Sequence, residues 1–289
     1  MILKGSQTED ILRKALSREL HAHFNYLSFC NVASKAGMEQ IAQIFFQIAK
    51  NEMEHAEQEL AFIGSVDDVK ESLRTSISNE YLEATKYYPE AAEVAEKEGF
   101  TEIASFFRRM GEVERKHGQQ LAEFADALDS GEELRGRTVS HSAVNMAQWM
   151  LPDQANPAGY VHGGELMKLM DNAAYIAGVR HCSSNVVTAM VDDLHFLKPV
   201  RVGDLALIHG KVVFVSRSSI KVKVEIERED PITGTKEKAL AAYYIMVALD
   251  PEEKPMEVPP LIIFTEEEQK LYNEAFEKHQ ERKEGVKKS

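Results

Sequence analysis

The stretch IASFFRRMGEVERKHGQQLAEFADAL, residues 103–128, decides the fold of the first half of the chain. Its apolar residues recur at intervals of three and four, which predicts a helix with one buried face. Glu114 and His117 stand in the middle of the apolar row, where further core residues are expected. The helix therefore carries potential metal ligands on the face that should pack against its neighbours.

The same pattern occurs 62 residues earlier, which indicates an internal repeat. Residues 8–128 read as helices throughout, and Pro89 and two glycines divide them into about four. The matched pairs are Gly37/Gly99, Ile41/Ile103, Phe45/Phe107, Glu52/Glu114, His55/His117 and Phe62/Phe124. Two similar helix pairs predict a four-helix bundle with pseudo-twofold symmetry.

Carboxylates interrupt the apolar row of all four predicted helices. Chance alone produces roughly one E-x-x-H in a chain of this composition, so the motif by itself is weak evidence. The evidence for a metal site is the position of these residues within the apolar rows. A solvated acidic face does not explain glutamates that replace core residues in register, and no Lys or Arg shares the rows to form buried ion pairs. The residues concerned are Glu19, Glu52, His55, Glu80, Glu83, Glu114 and His117. Two imidazoles and five carboxylates suit two iron or manganese ions bridged by glutamates.

From LKGSQTE to about residue 128, the chain resembles the rubrerythrin branch of the ferritin-like di-iron proteins. The E-x-x-E at 80–83, followed by YYPEAAEVAEKEGF, is specific to that branch. The resemblance implies that the seven residues above bind two iron ions, with manganese or mixed iron and zinc as alternatives. It also implies reduction of hydrogen peroxide. The family's C-terminal rubredoxin domain, with its two CxxC pairs, is missing, so turnover would need an external electron donor such as rubredoxin.

A change of period marks the second half. The polar stretch DSGEELRGR, residues 129–137, indicates a linker, and a helix is predicted at 162–182. We expect a helical domain at 1–130, a linker at 131–137, an α+β domain at 138–264, and a surface helix with a tail at 265–289. Strand-like segments fall at 138–151, 185–200, 204–216, 219–229 and 236–250.

The second half also contains a stretch that indicates a catalytic site, NPAGYVHGGELMKLMD, residues 156–171. Gly163 and Gly164 open an apolar helix, whose N-terminal amides and dipole can hold an oxyanion. Asp171 interrupts the apolar surface, where an acid can act as a general base or a nucleophile. Taken singly, a Gly-Gly pair is usually only a turn, and an aspartate in an apolar helix is usually a paired residue that stabilises the fold. The Gly-Gly pair is not a phosphate loop, because no GxxxxGKS or GxxxxGKT motif is present. The combination with the following strands favours a site.

Residues from about 138 to 285 resemble the hotdog-fold acyl-CoA thioesterases. Beyond the stretch above, the match includes VDDLHFLKPVRVGD at 191–204, SRSS at 216–219 and VALD at 247–250. The resemblance implies a central helix wrapped by an antiparallel sheet, in a dimer whose sites form at the subunit interface. The fold class expected for the whole chain is therefore multidomain, with an all-α ferritin-like four-helix bundle followed by an α+β hotdog domain.

The hotdog resemblance also implies roles for individual residues. Asn156 of one subunit and Asp171 of the other would flank the thioester carbonyl, with His162, Gly163 and Gly164 at the oxyanion end. Thr188 would assist by hydrogen bonding. The residues expected near coenzyme A are Arg217, Ser218 and Ser219.

Composition excludes several classes of protein. The chain has 34 basic and 47 acidic residues, a net charge of −13, which disfavours nucleic acid as a partner. Residues 1–135 account for −10 of that charge, an asymmetry that bound metal ions would offset. No apolar run reaches the ~20 residues of a membrane helix. The start, MILKGSQTED, does not read as a signal peptide, so a cytoplasmic location is expected.

Two functions remain for the whole chain. The first is an acyl-CoA hydrolase joined to a di-iron module that reduces peroxide. The second is a thioesterase whose di-iron domain only senses iron or oxidant, or organises the oligomer. A non-catalytic coenzyme A scaffold is disfavoured because Asn156, Gly164 and Asp171 are all present. Both halves favour a homo-oligomer, a dimer or a hexamer.

Overall fold

The computed structural model describes residues 3–64, 68–131 and 136–288, with side chains described to residue 283. The chain forms two compact units, Met1–Ser130 and Gly131–Ser289. The predicted linker at 131–137 falls mostly on 132–135, which lie outside the described residues.

The first unit is entirely helical. Its elements are α1 (Gln7–Lys35), α2 (Glu39–Ile63), α3 (Val69–Leu82), a π-helical turn (Glu83–Tyr87), α4 (Tyr88–Lys97) and α5 (Thr101–Ser130). Ser6 caps α1 by accepting a hydrogen bond from the Glu9 amide. Pro89 is the second residue after the π-helical turn, and the helical run 69–97 continues through it, so Pro89 does not divide the helices as the sequence predicts.

Within this unit the helices pack as two hairpins. In the described residues, α1 packs along α2, and α3 and α4 pack along α5, whereas α1 and α2 do not pack along the other three helices. Each hairpin closes on small side chains spaced seven residues apart, which let the backbones approach closely. These are Ala42, Ala49 and Ala56 in α2, and Ala104, Gly111 and Gly118 in α5, all buried.

The second unit combines a sheet with one long helix. Its elements are β1 (Arg137–Thr138), α6 (Val139–Ser142), β2 (Val144–Trp149), α7 (Gly163–Cys182), β3 (Asn185–Phe196), β4 (Leu205–Val215), β5 (Ser219–Glu229), β6 (Lys236–Leu249), β7 (Leu261–Ile262) and α8 (Glu266–Lys288). Five strands form an antiparallel sheet in the order β2-β4-β5-β6-β3, and β1 pairs with β7 in parallel. A helical unit followed by a hotdog-like unit is the architecture that the sequence predicts.

The core of the second unit lies between α7 and the sheet. Alternate residues of β4, β5 and β6 point to this side, which is why their burial has a period of two. Its largest fully buried side chains include Tyr244, Met150, Met170, Ile208 and Ile226. The core holds α7 and β3 in place, and these two elements carry Asp171 and Thr188.

One secondary-structure prediction in this unit is wrong in detail. The segment 138–151, predicted as one strand, contains a helical turn at α6 before β2 begins. The Thr138 side chain caps that turn by accepting a hydrogen bond from the His141 amide, 3.0 Å away. A short polar cap interrupts the alternation that sequence periodicity detects.

The C-terminal helix α8 packs on the sheet through Ala275, next to Val213 and Phe214. Its start shows the capping box that the sequence predicts, since the Thr265 hydroxyl accepts from the Glu268 amide and Glu268 accepts from the Thr265 amide. Among the described helices, none is long and apolar enough to cross a membrane.

Candidate metal site and candidate active site

The first hairpin brings together three of the predicted metal ligands. Nδ1 of His55 lies 3.2 Å from Oε2 of Glu52, one turn away on α2, and 3.6 Å from Oε2 of Glu19 on α1. Both glutamates are half-buried, and the imidazole is exposed. The three side chains can offer ligand atoms within 4.8 Å of one another, which is close enough to share one ion.

The second hairpin repeats this arrangement. Nδ1 of His117 lies 2.7 Å from Oε2 of Glu114 and 3.5 Å from Oε2 of Glu80. All three side chains are half-buried, and their ligand atoms also lie within 4.8 Å of one another. The buried Oε2 of Glu80 accepts no hydrogen bond in the described part of the chain. An orphaned carboxylate oxygen beside a second carboxylate is the environment that a cation relieves, so these residues fit a metal.

The pKa shifts have the same cause in both triads. The pKa of Glu19 is raised, first because its carboxyl shares a hydrogen bond with Glu52 and then because it is desolvated. The pKa of Glu80 is raised, first by desolvation and then by hydrogen bonding to Glu114. Each triad thus presses two carboxyl groups together, and without a cation one of them favours a proton.

The two hairpins match in their aromatic contacts as well. Tyr26 stacks on Phe45 with ring centroids 6.1 Å apart, and Tyr88 packs on Phe107 at 6.2 Å. Burial, followed by the charges of Glu114, Glu83 and Glu80, raises the pKa of Tyr88, whose ring therefore lies near the second triad.

The π-helical turn is the difference between the hairpins. Seven residues separate Glu19 from Tyr26, whereas eight separate Glu80 from Tyr88. A single inserted residue in a helix is accommodated as a π turn, and such turns are frequent at functional sites. Glu83, the extra glutamate, begins this turn and lies outside both triads.

Sequence reasoning placed all seven ligands in one site, whereas in the described residues six of them form two triads, one in each hairpin, and Glu83 lies in neither. It also missed Glu59, whose charge contributes to the raised pKa of Glu19 and whose Oε2 is buried without a hydrogen-bond partner among the described residues. Its position seven residues after Glu52, on the same face of α2, is the feature that could have identified it.

In the second unit, Asp171 lies half-buried on α7. The Thr188 hydroxyl, on the neighbouring strand β3, donates a hydrogen bond to Oδ1 of Asp171 at 2.7 Å. The core residue Tyr244 donates from its hydroxyl to the Met167 carbonyl at 3.2 Å, and its pKa is raised to about 12 by burial and by the Asp171 charge. One carboxylate oxygen of Asp171 is therefore fixed, and the other is available for chemistry.

The N-terminus of α7 begins at Gly163. The His162 side chain caps the helix, since its Nδ1 accepts a hydrogen bond from the Gly164 amide at 3.1 Å. A Cβ at Gly163 would lie 3.1 Å from Cε1 of the Phe196 ring, a tight contact that the ring would have to relieve by moving a few tenths of an ångström. The sequence indicates an anion-binding helix start but not that His162 occupies one of its amides.

Asn156 lies in the loop before α7. Its Oδ1 accepts hydrogen bonds from the amides of Ala158 and Tyr160, at 2.9 and 3.2 Å. Because the side-chain oxygen is engaged in the loop, the NH₂ group is what Asn156 can offer to a bound molecule.

Asn156 and Gly163 line one cavity of about 340 Å³. Its wall includes aromatic and basic side chains that sequence reasoning did not single out. They are Tyr160, Phe196 and Lys198. Phe196 and Lys198 belong to the VDDLHFLKP motif. The sequence therefore identifies the motif but not these two residues as part of the cavity wall.

Asp171 does not line that cavity. Gly164 and Asp171 are seven residues apart on α7, which is about 10 Å at 1.5 Å per residue. A carbonyl held at the start of α7 therefore lies too far from Asp171 of the same chain for one step of chemistry.

The serine-rich turn between β4 and β5 lies apart from this cavity. Ser216 and Ser219 hydrogen-bond to each other through their hydroxyls at 2.7 Å. The carbonyls of Arg217 and Ser218 accept from the amides of Val258 and Ala248. The turn is thus built into the fold, with the Arg217 side chain exposed.

The geometry defines a hotdog unit with a carboxylate on its central helix, joined to a helical unit with paired Glu-Glu-His triads. A thioesterase superfamily model matches residues 158–235. A rubrerythrin model matches residues 10–81 and 71–156, about half of the chain. The chain belongs to the rubrerythrin family in its first half and to the thioesterase superfamily in its second.

Curated relatives match each half separately. Mouse cytosolic acyl coenzyme A thioester hydrolase is 39% identical over 140 residues, 47% of this chain and 36% of that protein. An uncharacterised acyl-CoA thioester hydrolase of Bacillus subtilis is 36% identical over 51% of this chain and 86% of that protein. Porphyromonas gingivalis rubrerythrin is 36% identical over 45% of this chain and 71% of that protein. The chain thus spans about a third of the length of the mammalian relative.

Solved structures match the second half. An apo-hexameric acyl-CoA thioesterase superposes with a TM-score of 0.51 and 30% identity, over 53% of this chain and 97% of that one. The Staphylococcus aureus acyl-CoA hydrolase, solved with butyryl coenzyme A, gives 0.50 and 30%, over 53% and 93%. Two other structures of the S. aureus enzyme carry alanine in place of an asparagine and an aspartate that are 15 residues apart, the spacing between Asn156 and Asp171.

Proposed function

We propose that the hotdog unit hydrolyses acyl-CoA thioesters to a free acid and coenzyme A. The observation that carries this proposal is the carboxylate of Asp171, oriented by Thr188 at 2.7 Å. The matching Asn–Asp spacing in the S. aureus hydrolase supports it.

The separation of the site residues along α7 favours a site built by two chains. Because Asp171 lies about 10 Å along α7 from Gly164, the two cannot act on the same carbonyl within one chain. We infer that Asp171 of one subunit acts with Asn156 and the start of α7 of another, in a homodimer or in a hexamer like that of the structural relative.

The residues then have separate roles in the reaction. Asp171 takes a proton from water as the water oxygen bonds to the thioester carbon. The Asn156 NH₂ group and the N-terminal amides of α7 donate hydrogen bonds to the carbonyl oxygen as it gains negative charge. For the Gly164 amide to take part, the His162 ring must leave it. When the carbonyl re-forms, the C–S bond breaks and the coenzyme A sulfur takes the proton. Arg217, Ser218 and Ser219 are proposed to contact coenzyme A.

Asp171→Ala tests this assignment. Loss of a general base costs about 10²- to 10⁴-fold, so we expect kcat for acyl-CoA hydrolysis to fall by at least about 10²-fold. The oligomer and the iron content should not change. Asp153→Ala, at an exposed position in the short 3-10 helical turn Pro152–Gln154, is the matched control and should keep full activity. Retention of most of the kcat in Asp171→Ala would refute the assignment.

We propose that the helical unit binds two metal ions, with iron favoured over manganese or mixed iron and zinc. The triads of Glu19, Glu52 and His55 and of Glu80, Glu114 and His117 would hold them, and Glu83 would be a further ligand reached from the π turn. Bound iron would supply one-electron redox chemistry, for which peroxide reduction with an external donor such as rubredoxin is the proposed use. The triads would hold the ions, and Tyr88, whose pKa is raised by burial and by the charges of Glu114, Glu83 and Glu80, is proposed to take part in proton movement.

A role in sensing iron or oxidant, or in organising the oligomer, is the second candidate for the helical unit. Loading with Fe(II), adding peroxide and following iron oxidation together with thioester hydrolysis separates the two. Repeated turnover with a rubredoxin-type donor identifies a peroxidase. A single stoichiometric oxidation that changes the hydrolysis rate identifies a sensor.

A further inference from the structure

A group of charged side chains lies under α8, on the face of the sheet that is turned away from α7. Tyr244 of β6 belongs to the core beside α7, whereas its neighbour Tyr243 faces the other side and packs on the cluster that contains Ala275 of α8. The charged residues on that side are Asp192 and Asp193 of β3, Lys221 of β5, and Lys278 and Arg282 of α8. None of the five lines the cavity at the start of α7, so contact with a molecule held there does not explain them.

Two ion pairs join α8 to β3. Lys278 donates a hydrogen bond to Oδ2 of Asp193, and Arg282 donates one to Oδ2 of Asp192. Asp192 is also held from β5, because Nζ of Lys221 lies 3.6 Å from the same oxygen. Lys221 is only 4% exposed, and burial lowers the pKa of its ammonium group. A buried ammonium needs a carboxylate beside it, so Asp192 has one favourable position.

The strand that carries these two aspartates changes face between them and the candidate active site. The change occurs at a β-bulge, where Ala189 has no paired residue in β6. Successive residues of a strand face opposite sides of the sheet, so an extra residue moves all that follow to the other face. Thr188 therefore faces α7 and contacts Asp171, whereas Asp192, four residues later, faces α8. One strand thus contacts both helices.

A second bulge in β3 contains a strained residue. It falls between Asp192 and His195, and Asp193 within it has a φ of 50°, in the left-handed region that favours glycine. Such a conformation persists where the surrounding contacts hold it, and it often occurs where geometry matters for function. The contact here is the hydrogen bond from Lys278, which also lowers the pKa of Asp193. Contacts with α8 therefore hold the bulged segment 189–194 where its regular pairing with β6 is interrupted.

We propose that Lys278 and Arg282 of α8 are positioning residues for the general base, Asp171. Their ion pairs fix the bulged segment 189–194, and that segment determines where the Thr188 hydroxyl meets Asp171. Four residues of strand separate Thr188 from the nearer ion pair, about 13 Å at 3.3 Å per residue, so the effect passes through the backbone of β3. This inference rests on the thioesterase activity proposed above and adds that its rate depends on α8.

Kinetics of variants in α8 test this role. Arg282→Gln and Lys278→Gln each remove one ion pair, and Lys270→Gln, at an exposed position on the same helix, is the matched control. A misplacement of a catalytic group by about 1 Å can cost about 10²-fold in rate. In the double variant Lys278→Gln/Arg282→Gln we therefore expect kcat for acyl-CoA hydrolysis to fall by roughly 10- to 10²-fold. KM should not change, because neither residue lines the cavity, and the control should keep the wild-type kcat.

Combination with Thr188→Val tests whether the effect passes through β3. Independent substitutions this far apart have additive free energies, so their factors in kcat should multiply. If α8 acts through Thr188, the chain with Lys278→Gln, Arg282→Gln and Thr188→Val should be no slower than Thr188→Val alone. Arg282→Lys keeps the positive charge and should recover most of the kcat that Arg282→Gln loses.

The outcomes separate this inference from the activity on which it rests. If the double variant keeps the wild-type kcat while Asp171→Ala and Thr188→Val lose theirs, the positioning role is refuted and the thioesterase assignment stands. Losses that multiply refute transmission through Thr188. If Asp171→Ala keeps its kcat, the proposed function fails, and the positioning role fails with it. Trp149 fluorescence in denaturant titrations shows whether each variant is folded under the assay conditions, so that an unfolded fraction is not mistaken for a slower enzyme.

Discussion

The two units of this chain differ in the size of the side chains that they bury. The hotdog unit buries large side chains such as Tyr244, Ile208 and Met170 between one helix and a sheet. In the part of the helical unit that the structure describes, only small residues are buried, and Phe62 and Ile103 are substantially exposed. The stability of the hotdog unit therefore comes from its own core, whereas that of the helical unit depends on what covers its ligand face.

The largest expected effect is in the closed core. Ile208→Ala removes a fully buried side chain and should lower the free energy of unfolding of the hotdog unit by about 2–5 kcal/mol. Trp149, the single tryptophan, lies on β2, so its fluorescence in a denaturant titration reports this unit alone. A loss below about 1 kcal/mol would show that the core is less closely packed than its burial indicates.

Metal removal should have its effect in the other unit. When the free iron concentration is about 100 times the dissociation constant, binding stabilises the folded state by about 2.7 kcal/mol. Chelation should therefore lower the melting temperature of the helical transition, followed by ellipticity at 222 nm, and leave the Trp149 transition in place. Equal shifts in both transitions would contradict the separation of the units.

Two helical glycines sharpen the comparison at single positions. A Cβ at Gly178 in α7 would lie 2.9 Å from side-chain carbons of Ile220 and Val186. Gly178→Ala should thus cost about 1–3 kcal/mol through overpacking. At Gly111 in α5 the nearest atom would be 3.4 Å away, an ordinary contact. Gly111→Ala should therefore leave stability unchanged or raise it by up to about 1 kcal/mol, since alanine favours the helix. Equal losses in denaturant titrations would contradict this difference.

The smallest effect concerns pH. Burial lowers the pKa of His181, whose Nε2 donates to the Pro259 carbonyl at 3.0 Å. Below about pH 6.5 the unfolded chain binds a proton that the folded chain excludes, so the free energy of unfolding falls as pH falls. The difference between pH 7.5 and pH 5.0 should be smaller in His181→Gln than in the wild type. An unchanged difference would mean that this histidine is charged in the folded state.

Much of the fold could be predicted because periodicity reports directly on burial. The period of three and four found the helices, and alternation found β4, β5 and β6. Periodicity identifies the face of a helix that is apolar, but not what covers it. For that reason the row of Ile41 and Ile103 was predicted to be buried, whereas the structure leaves it half-exposed.

The candidate sites divide in the same way. The spacing of Glu52/His55 and Glu114/His117 fixes each pair on one helix face, so their contacts followed from sequence. The capping of Gly164 by His162 and the π turn at Glu83–Tyr87 depend on local hydrogen bonds that residue type does not specify. The inserted residue of the π turn is visible in the repeat, however. Glu80 follows its counterpart Glu19 by 61 residues, whereas Tyr88 follows its counterpart Tyr26 by 62.

The central claim is that one chain joins a thioesterase and a metal centre that work through separate residues. The most direct measurement is acyl-CoA hydrolysis and iron content on the same preparations of wild type, Asp171→Ala and Glu114→Gln/His117→Gln. Asp171→Ala should lose hydrolysis by at least about 10²-fold and keep its iron. The metal-site variant should lose its iron and keep hydrolysis. Full hydrolysis in Asp171→Ala, or full iron in the metal-site variant, would contradict the account.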